Sequence, residues 1–225
     1  MYAWNASSTA KLWPVGIEYA KRSDVDIGGS QAFWAAKRVF DITLGLLILP
    51  ALALVALSLL LANPFFNRGP LFYSQIRMGR GGKPFRIFKF RSMLAAPRGA
   101  AAAFASAEGK RITPLGALMR KFRIDELPQI ANVLIGDMSL VGPRPEQADF
   151  AQDFGKTIAG YRDRHIVRPG LSGLAQVTHG YADSSESTRL KLTKDLEYIH
   201  EAGWRMESRI VLRTLMVVAT GFGAC

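Results

Sequence analysis

The largest change in the hydrophobic pattern of the chain is an apolar run from Ile42 to Ala62, 21 residues without a charged side chain. As a straight helix it would be about 31 Å long, close to the hydrocarbon thickness of a bilayer. Pro50 lies near its middle, where a proline removes a backbone hydrogen bond and favours a bend. Cations lie on both sides of the run, at Lys37, Arg38, Arg68, Arg77 and Arg80. The run predicts a membrane-inserted helix, and both a single span and a re-entrant helix bent at Pro50 fit the residues alone.

The residues before this run show neither a helical nor a strand period, and they mix Ser, Thr, Gly, Asp and Lys with isolated Trp. We expect a mobile cytosolic tail over residues 1–33 rather than a signal peptide, because the apolar run begins too late and no small-residue cleavage site follows it. The predicted organisation is this tail, a membrane-inserted helix over 34–66 and a cytosolic domain over 67–225.

From Gly69 to Met93 the period changes to two, which predicts a β-hairpin turning at Gly79, Gly81 and Gly82. Its second arm alternates apolar side chains with cations, including Lys89 and Arg91. From Arg77 to Arg123 there are twelve Lys or Arg and one acidic residue, Glu108. This imbalance favours an anion-binding surface over an ordinary solvated face.

Helical periods return in the last third of the chain. Leu190–His200 predicts a helix with one apolar side. Arg209–Phe222 is apolar but is interrupted by Arg213 and is too short to span a bilayer, so an interfacial helix fits it best. The predicted class is α+β, with a membrane-inserted Pro-kinked helix, a helical cytosolic domain with a β-hairpin, and amphipathic interfacial helices.

The charge of the chain indicates an anionic partner but does not identify which one. The net charge is +11, the isoelectric point is near 10.1 and the mean hydropathy is +0.10. Nucleic acid, anionic lipid and phosphorylated substrates all suit such a charge. A helix-turn-helix or stacked-aromatic signature is missing from the sequence, so we do not expect nucleic acid. With one Cys and three scattered His, a zinc site of the usual spacing is not expected either.

Candidate chemistry lies between Lys121 and Glu146, where two adjacent carboxylates, Asp125 and Glu126, follow a run of cations. Asp125 is in position to cap a helix that begins near Pro128. An ionised Asp can attack phosphorus, and a neighbouring Glu can hold a magnesium ion. Helix capping alone is the plainer interpretation of an acid pair at a helix start.

A stiff Gly-Pro-Arg-Pro turn over 142–145 follows the predicted helix. Its prolines restrict the backbone, so Arg144 would project at a set angle and could grip a phosphate with two nitrogens. A rigid connector without a binding role fits the same residues.

Together these segments resemble the bacterial sugar transferase family, the monotopic phosphoglycosyltransferases. The resemblance covers roughly residues 35 to 215. It depends on four segments that occur in the family's order and spacing: KRVFD at 37–41, FKFRSM at 88–93, IDELPQIANVLIGDMSLVGPRP at 124–145 and VRPGLSGLAQV at 167–177.

The resemblance implies transfer of a sugar 1-phosphate from a nucleotide diphosphate sugar, usually UDP-linked, to polyprenyl phosphate, with release of UMP. This reaction begins the synthesis of exopolysaccharides and other glycans. It implies an aspartyl-phosphosugar intermediate on Asp125, with Glu126 as its acidic partner and Mg²⁺ held by both carboxylates. It also implies a place at the cytosolic face of the bacterial inner membrane and a re-entrant helix with its bend at Pro50. A non-catalytic scaffold in a polysaccharide assembly complex and a membrane-tethered nucleic-acid binder are the alternatives, and a homodimer is left open.

The resemblance also implies substrate-binding positions. Arg120 matches an arginine associated with polyprenyl phosphate, and Arg144 matches the arginine of the family's Pro-Arg-Pro turn. The other matched positions are Lys89, Arg91, Arg168 and Gln176. After Val177 the chain departs from the family pattern, reading Thr-His-Gly-Tyr over 178–181, which leaves sugar and nucleotide selectivity open.

Overall fold

The computed structural model describes residues 25–94, 111–179 and 185–220, and its architecture mixes helices with small sheets, which confirms the α+β class. Most of the predicted tail and part of the 178–181 departure lie outside the described residues. Within those ranges the elements are, in order, α1 (Gln31–Phe66), β1 (Phe72–Met78), β2 (Pro84–Phe90), α2 (Pro114–Lys121), a 3₁₀ turn (Ile124–Glu126), α3 (Gln129–Ile135), β3 (Ser139–Val141), α4 (Ala148–Thr157), a second 3₁₀ turn (Tyr161–His165), β4 (Gly170–Ser172), α5 (Leu174–His179), α6 (Ser185–His200) and α7 (Trp204–Thr220).

Helix α1 confirms the long apolar helix near the N-terminus. It begins at Gln31, three residues before the predicted start, because the Oγ of Ser30 caps it by accepting the Phe33 N–H at 3.1 Å. The helix runs through Pro50 without interruption for 36 residues, and within the described chain it is the helix long and apolar enough to cross a membrane. A re-entrant bend at Pro50 remains a prediction.

One stripe of α1 faces the rest of the protein while its other sides remain exposed. The buried positions fall largely at every fourth residue and are Phe33, Lys37, Asp41, Gly45, Leu59 and Asn63. Large apolar side chains such as Leu47 and Leu61 are exposed on the other sides. This division fits a helix that packs on a protein domain along one line and meets lipid elsewhere.

The predicted hairpin is confirmed. Strands β1 and β2 pair antiparallel, with Phe72 opposite Phe90 and Met78 opposite Pro84. At the turn Gly81 and Gly82 have φ of 65° and 69°, backbone conformations that glycine adopts without strain. The side chain of Asn132, in α3, bonds to the backbone of β2, so the free edge of this strand faces that helix.

Strands β3 and β4 form a short parallel pair that joins the Gly-Pro-Arg-Pro turn to the Arg-Pro-Gly segment at 168–170. The Gly142 N–H donates to the Ser172 carbonyl and the Gly170 N–H to the Pro143 carbonyl, both at 2.9 Å. A Cβ on Gly142 would lie 2.6 Å from the carbonyl oxygen of Arg168. Only glycine allows the two turns to approach this closely, so the two motifs form one structural unit.

Helices α6 and α7 cover this unit and connect it to α1. Their buried side chains Tyr198, Ile199 and Ile210 pack against β3 and the chain before β4. Lys37 of α1 forms an ion pair with Glu207 of α7 at 2.8 Å. The outer side of α7 presents exposed apolar residues, namely Trp204, Leu212, Leu215 and Met216. The predicted interfacial role of this helix stays a prediction.

Candidate active site

The two carboxylates lie together in the 3₁₀ turn between α2 and α3, and both are buried. Arg123 opens the turn with a left-handed backbone, φ 57°. The prediction that Asp125 caps the following helix is wrong: Pro128 occupies the capping position of α3, and no side chain caps it. The reason is that the tight turn at Arg123 places the acid pair one turn ahead of the helix, so the plainer interpretation as a helix cap does not hold.

Glu126 is held by cations from three different segments. The Nζ of Lys89 lies 2.8 Å from Oε1, a terminal nitrogen of Arg144 lies 2.6 Å from the same oxygen, and Arg123 approaches Oε2 at 4.0 Å. Burial by itself would raise the pKa of Glu126, but the charges and hydrogen bonds of Arg144 and Lys89 outweigh burial and hold the pKa well below its usual value. Glu126 is therefore an anion with both oxygens engaged.

For Asp125 the pKa is shifted in the opposite direction from that of Glu126. Burial raises its pKa above the usual value and so does the charge of Glu126, while Lys89, Arg120 and Arg123 oppose that rise. In the described part of the chain, no hydrogen bond or ion pair ends on the Asp125 carboxylate. Two adjacent acids in different states, one paired and one free, are typical of sites that carry out chemistry.

Arg144 owes its position to a buried arginine, Arg164, that the sequence did not single out. Arg164 donates to the backbone carbonyl of Arg144 at 2.9 Å and forms an ion pair with Asp195 at 2.6 Å. It also donates to the hydroxyl of Tyr161 at 2.8 Å. A buried and an exposed arginine look alike in a basic stretch, so the sequence carried no signal for this role.

Lys89 is positioned by a second residue that the sequence did not single out, Asn132. Its side chain donates to the Arg86 carbonyl at 2.7 Å and accepts the Phe88 N–H at 3.1 Å. These bonds satisfy the free edge of β2 and attach the strand to α3. The strand residue next to Phe88 is Lys89, which reaches Glu126.

Four of the predicted positions lie around Asp125, and three lie elsewhere. Glu126, Lys89, Arg144 and Arg120 are near it. The guanidinium of Arg91 donates to the carbonyls of Asn67, Pro70 and Met93 and so ties down the chain after α1.

Arg168 and Gln176 lie on the other side of α3 and beyond β4. Arg168 donates to the carbonyl of Gly136 at 3.0 Å, where α3 ends. Asp125 precedes the start of α3, and seven helical residues span about 10 Å. Gln176 donates to the Leu171 carbonyl at 3.2 Å. Substrate binding by Arg91, Arg168 and Gln176 stays a prediction.

Asp125 is better placed than Glu126 to bind a magnesium ion directly. Mg²⁺ is usually bound by one or two carboxylates together with substrate phosphates, and no cluster of three or more metal-ligating side chains occurs among the described residues. The free carboxylate of Asp125 suits this arrangement. Glu126 would have to give up Lys89 or Arg144 before binding a metal directly.

The described chain thus combines a buried acid pair, one member free and one surrounded by cations, with a long exposed apolar helix. The family model for bacterial sugar transferases matches residues 32–221. The chain belongs to this family, as the resemblance in its motifs indicated.

Several curated proteins are similar to the chain. It is 44% identical over 188 residues to the UDP-N-acetylgalactosamine-undecaprenyl-phosphate N-acetylgalactosaminephosphotransferase of Aeromonas hydrophila, covering 84% of this chain and 44% of that protein. It is 40% identical over 190 residues to the UDP-glucose:undecaprenyl-phosphate glucose-1-phosphate transferase of Caulobacter vibrioides, covering 82% of this chain and 70% of that protein. An exopolysaccharide production protein of Rhizobium leguminosarum is 35% identical, covering 80% of this chain and 93% of that protein. The chain thus spans less than half the length of the Aeromonas relative.

Proposed function

We propose that the chain transfers a sugar 1-phosphate from a nucleotide diphosphate sugar, of the UDP-linked class, to undecaprenyl phosphate with release of UMP. The observation that carries the proposal is the free, buried carboxylate of Asp125 beside a Glu126 neutralised by Lys89 and Arg144. The names of the Aeromonas and Caulobacter relatives, both undecaprenyl-phosphate transferases using UDP-sugars, support the substrate classes.

In the first proposed step a carboxylate oxygen of Asp125 attacks the phosphorus that carries the sugar. An Asp–O–P bond forms, the bond from that phosphorus to the bridging oxygen breaks, and UMP leaves with that oxygen and its electron pair. Arg120 and Arg123 add positive charge near Asp125, which offsets the charge of the diphosphate. Magnesium, bound by Asp125 and phosphate oxygens, would supply further charge neutralisation.

In the second proposed step a phosphate oxygen of undecaprenyl phosphate attacks the same phosphorus. The Asp–O–P bond breaks, the carboxylate of Asp125 is restored, and the lipid carries a diphosphate-linked sugar. Glu126 stays anionic throughout and acts by fixing Lys89 and Arg144 beside the reacting phosphates. Because the two reactants are a soluble nucleotide sugar and a lipid, the site must lie at a membrane surface.

We place this site on the cytosolic face of the inner membrane, with both ends of α1 on the same side. Two observations support this topology. Near its start α1 is bonded to α7 through Lys37 and Glu207. Near its end Asn63 donates to the Gly69 carbonyl, and Asn67, just after the helix, donates to the Arg91 carbonyl, both at 2.6 Å. A helix bonded to one domain at both ends is difficult to reconcile with a perpendicular span, and a bend at Pro50 would let its middle enter the bilayer.

The reaction is tested with purified protein in detergent, Mg²⁺, undecaprenyl phosphate and a panel of UDP-sugars. We expect UMP release from one or a few of them, and none after Asp125→Asn. Folded protein that releases no nucleotide monophosphate from any donor would refute the proposal. For topology, cysteines placed before Ile42 and after Ala62 should label from the same side, and labelling from opposite sides would show a true span.

A further inference from the structure

A basic cavity of about 510 Å³ lies at the far end of α3 from Asp125. Its walls come from α1, the hairpin turn, β3 and the chain before β4, and they include Trp34, Arg38, Arg80 and Arg168. Asp125 and Glu126 do not line it. A cavity of this volume is within the range that small ligands occupy.

The three arginines that line this space are each anchored by hydrogen bonds to backbone carbonyls. Arg38 donates to the carbonyls of Val133 and Leu134 at 2.7 and 3.1 Å. Arg168 donates through Nε to the Gly136 carbonyl, and Arg80 through Nε to the Ile166 carbonyl at 3.1 Å. Each bond fixes the plane of a guanidinium group, so little side-chain entropy remains to be lost when a ligand binds.

Two of these guanidinium groups keep their binding nitrogens available. In Arg80 and Arg168 the described hydrogen bonds use Nε, and none from either terminal nitrogen is found within the described residues. A pair of terminal nitrogens is the arrangement that binds a phosphate through two parallel hydrogen bonds.

The charge of the cavity is not balanced by the protein around it. Asp41 is the carboxylate among its lining residues in the described chain, and it already accepts from Ser139 at 2.7 Å and from Lys37 at 3.4 Å. Burial lowers the pKa of Arg168 and the charges of Arg80 and Arg38 lower it further, while the charge of Asp41 opposes this only in part. Three cations that repel one another in a partly buried space are stabilised by an anionic ligand.

Capping of α3 explains part of this arrangement but not all of it. The C-terminal carbonyls of a helix attract cations, and both nitrogens of Arg38 are used in this way. Arg80 comes from the hairpin turn and bonds to Ile166, which is not in α3. Its presence beside Arg168 has no role in capping that helix.

We infer that Arg80 and Arg168, with the positive charge of Arg38 beside them, form a second phosphate-binding site, separate from Asp125 and Glu126, for a phosphate or diphosphate ester. The organic part of this ligand would lie against the apolar walls at Trp34 and Ile166. The same chemistry is offered by the headgroup of an acidic phospholipid and by a soluble nucleotide, and the two arms of the test separate these sources.

The soluble arm measures binding of inorganic pyrophosphate and of UMP to the full chain in neutral detergent by calorimetry. We expect Arg80→Gln to weaken one binding component about 10-fold or more, because a charge-assisted contact is lost. Arg86→Gln is the matched control, since Arg86 is an exposed arginine of the same hairpin that does not line the cavity. Arg168→Gln provides a second variant whose folding is checked by its thermal midpoint.

The lipid arm measures the number of phosphatidylglycerol molecules retained by the protein from mixed phosphatidylcholine and phosphatidylglycerol micelles, by native mass spectrometry. Loss of one retained phosphatidylglycerol in Arg80→Gln but not in Arg86→Gln assigns the site to a lipid headgroup. Weaker pyrophosphate or UMP binding in Arg80→Gln alone assigns it to a soluble ligand. If Arg80→Gln changes neither measurement, or changes both only as much as Arg86→Gln does, the inference is overturned.

Discussion

Replacing Asn132 by Leu should loosen the strand that positions Lys89. Leu has the branched shape of Asn, with two methyl groups in place of the amide oxygen and nitrogen, so the change opens no cavity but removes both hydrogen bonds to β2. The Phe88 N–H and the Arg86 carbonyl would then lose the partners that they have at 3.1 and 2.7 Å. We therefore expect effects on both stability and activity.

The magnitude follows from the two lost bonds. A buried polar group left without a partner costs about 1–3 kcal/mol, and these two groups are partly buried. Taking about 1–1.5 kcal/mol for each group, the low end of that range, gives a loss of about 2–3 kcal/mol in the free energy of unfolding. For a chain of this size this corresponds to a fall in the thermal midpoint of about 4–12 °C.

The assay is thermal unfolding in detergent, followed by intrinsic tryptophan fluorescence, together with UMP release. Ile135→Ala is the matched control, because Ile135 lies on the same helix and is 67% exposed. We expect that control to change stability by no more than about 0.5 kcal/mol. Asn132→Leu should also lower turnover by up to roughly 10²-fold, since Lys89 would lose its fixed place beside Glu126. A midpoint no lower than that of the control would refute this account of the strand edge.

The remaining predictions concern the charges around the acid pair. Asp125→Asn should lower UMP release by at least about 10³-fold yet raise the thermal midpoint at pH 7, because burying the Asp125 charge is unfavourable. This gain in the midpoint should shrink as the pH falls, since the native Asp125 then becomes protonated. A lower midpoint for the variant at pH 7 would contradict the prediction. Turnover in the unmodified chain should fall as the pH drops through the raised pKa of Asp125. Glu126→Gln should move this acid limb of the pH profile to lower pH, whereas Lys89→Met should move it to higher pH. Acid limbs that stay in place in profiles of UMP release would refute the effect of these two charges on Asp125. Arg164→Met leaves Asp195 buried without its cation, so it should destabilise the chain by about 3–5 kcal/mol in the same fluorescence unfolding assay. A loss below about 1 kcal/mol would show that the Arg164–Asp195 pair does not hold the Arg144 turn.

Much of the local structure follows from the sequence because it depends on neighbouring residues. The apolar run from Ile42 to Ala62 predicts α1, since a backbone in or near lipid must satisfy its own hydrogen bonds. The period of two and the glycines at 79, 81 and 82 predict the hairpin, since side chains alternate across a strand and left-handed turns favour glycine. The motif resemblance predicted the family.

The sequence predicted an acid pair among cations, but not which acid would be paired. Only the tertiary structure brings Lys89 and Arg144 to Glu126 and leaves Asp125 free, since these residues are far apart in the chain and converge through packing of β2 and the two joined turns on α3. The expected cap at Asp125 is wrong for a related reason. A left-handed residue at 123 is hard to foresee from a non-glycine side chain, and it shifts the turn.

What the sequence determined by itself is therefore the elements and the chemistry available to them: a long apolar helix, a basic hairpin, an acid pair and a stiff Gly-Pro-Arg-Pro turn. The tertiary structure decided the partner of each charge. It joined Arg144 to Glu126 and moved Arg168 to the opposite end of α3, beside Arg38 and Arg80. The physical reason is that hydrophobic periodicity is a local property of the chain, whereas the pairing of buried charges depends on contacts between residues distant in sequence, which packing alone sets.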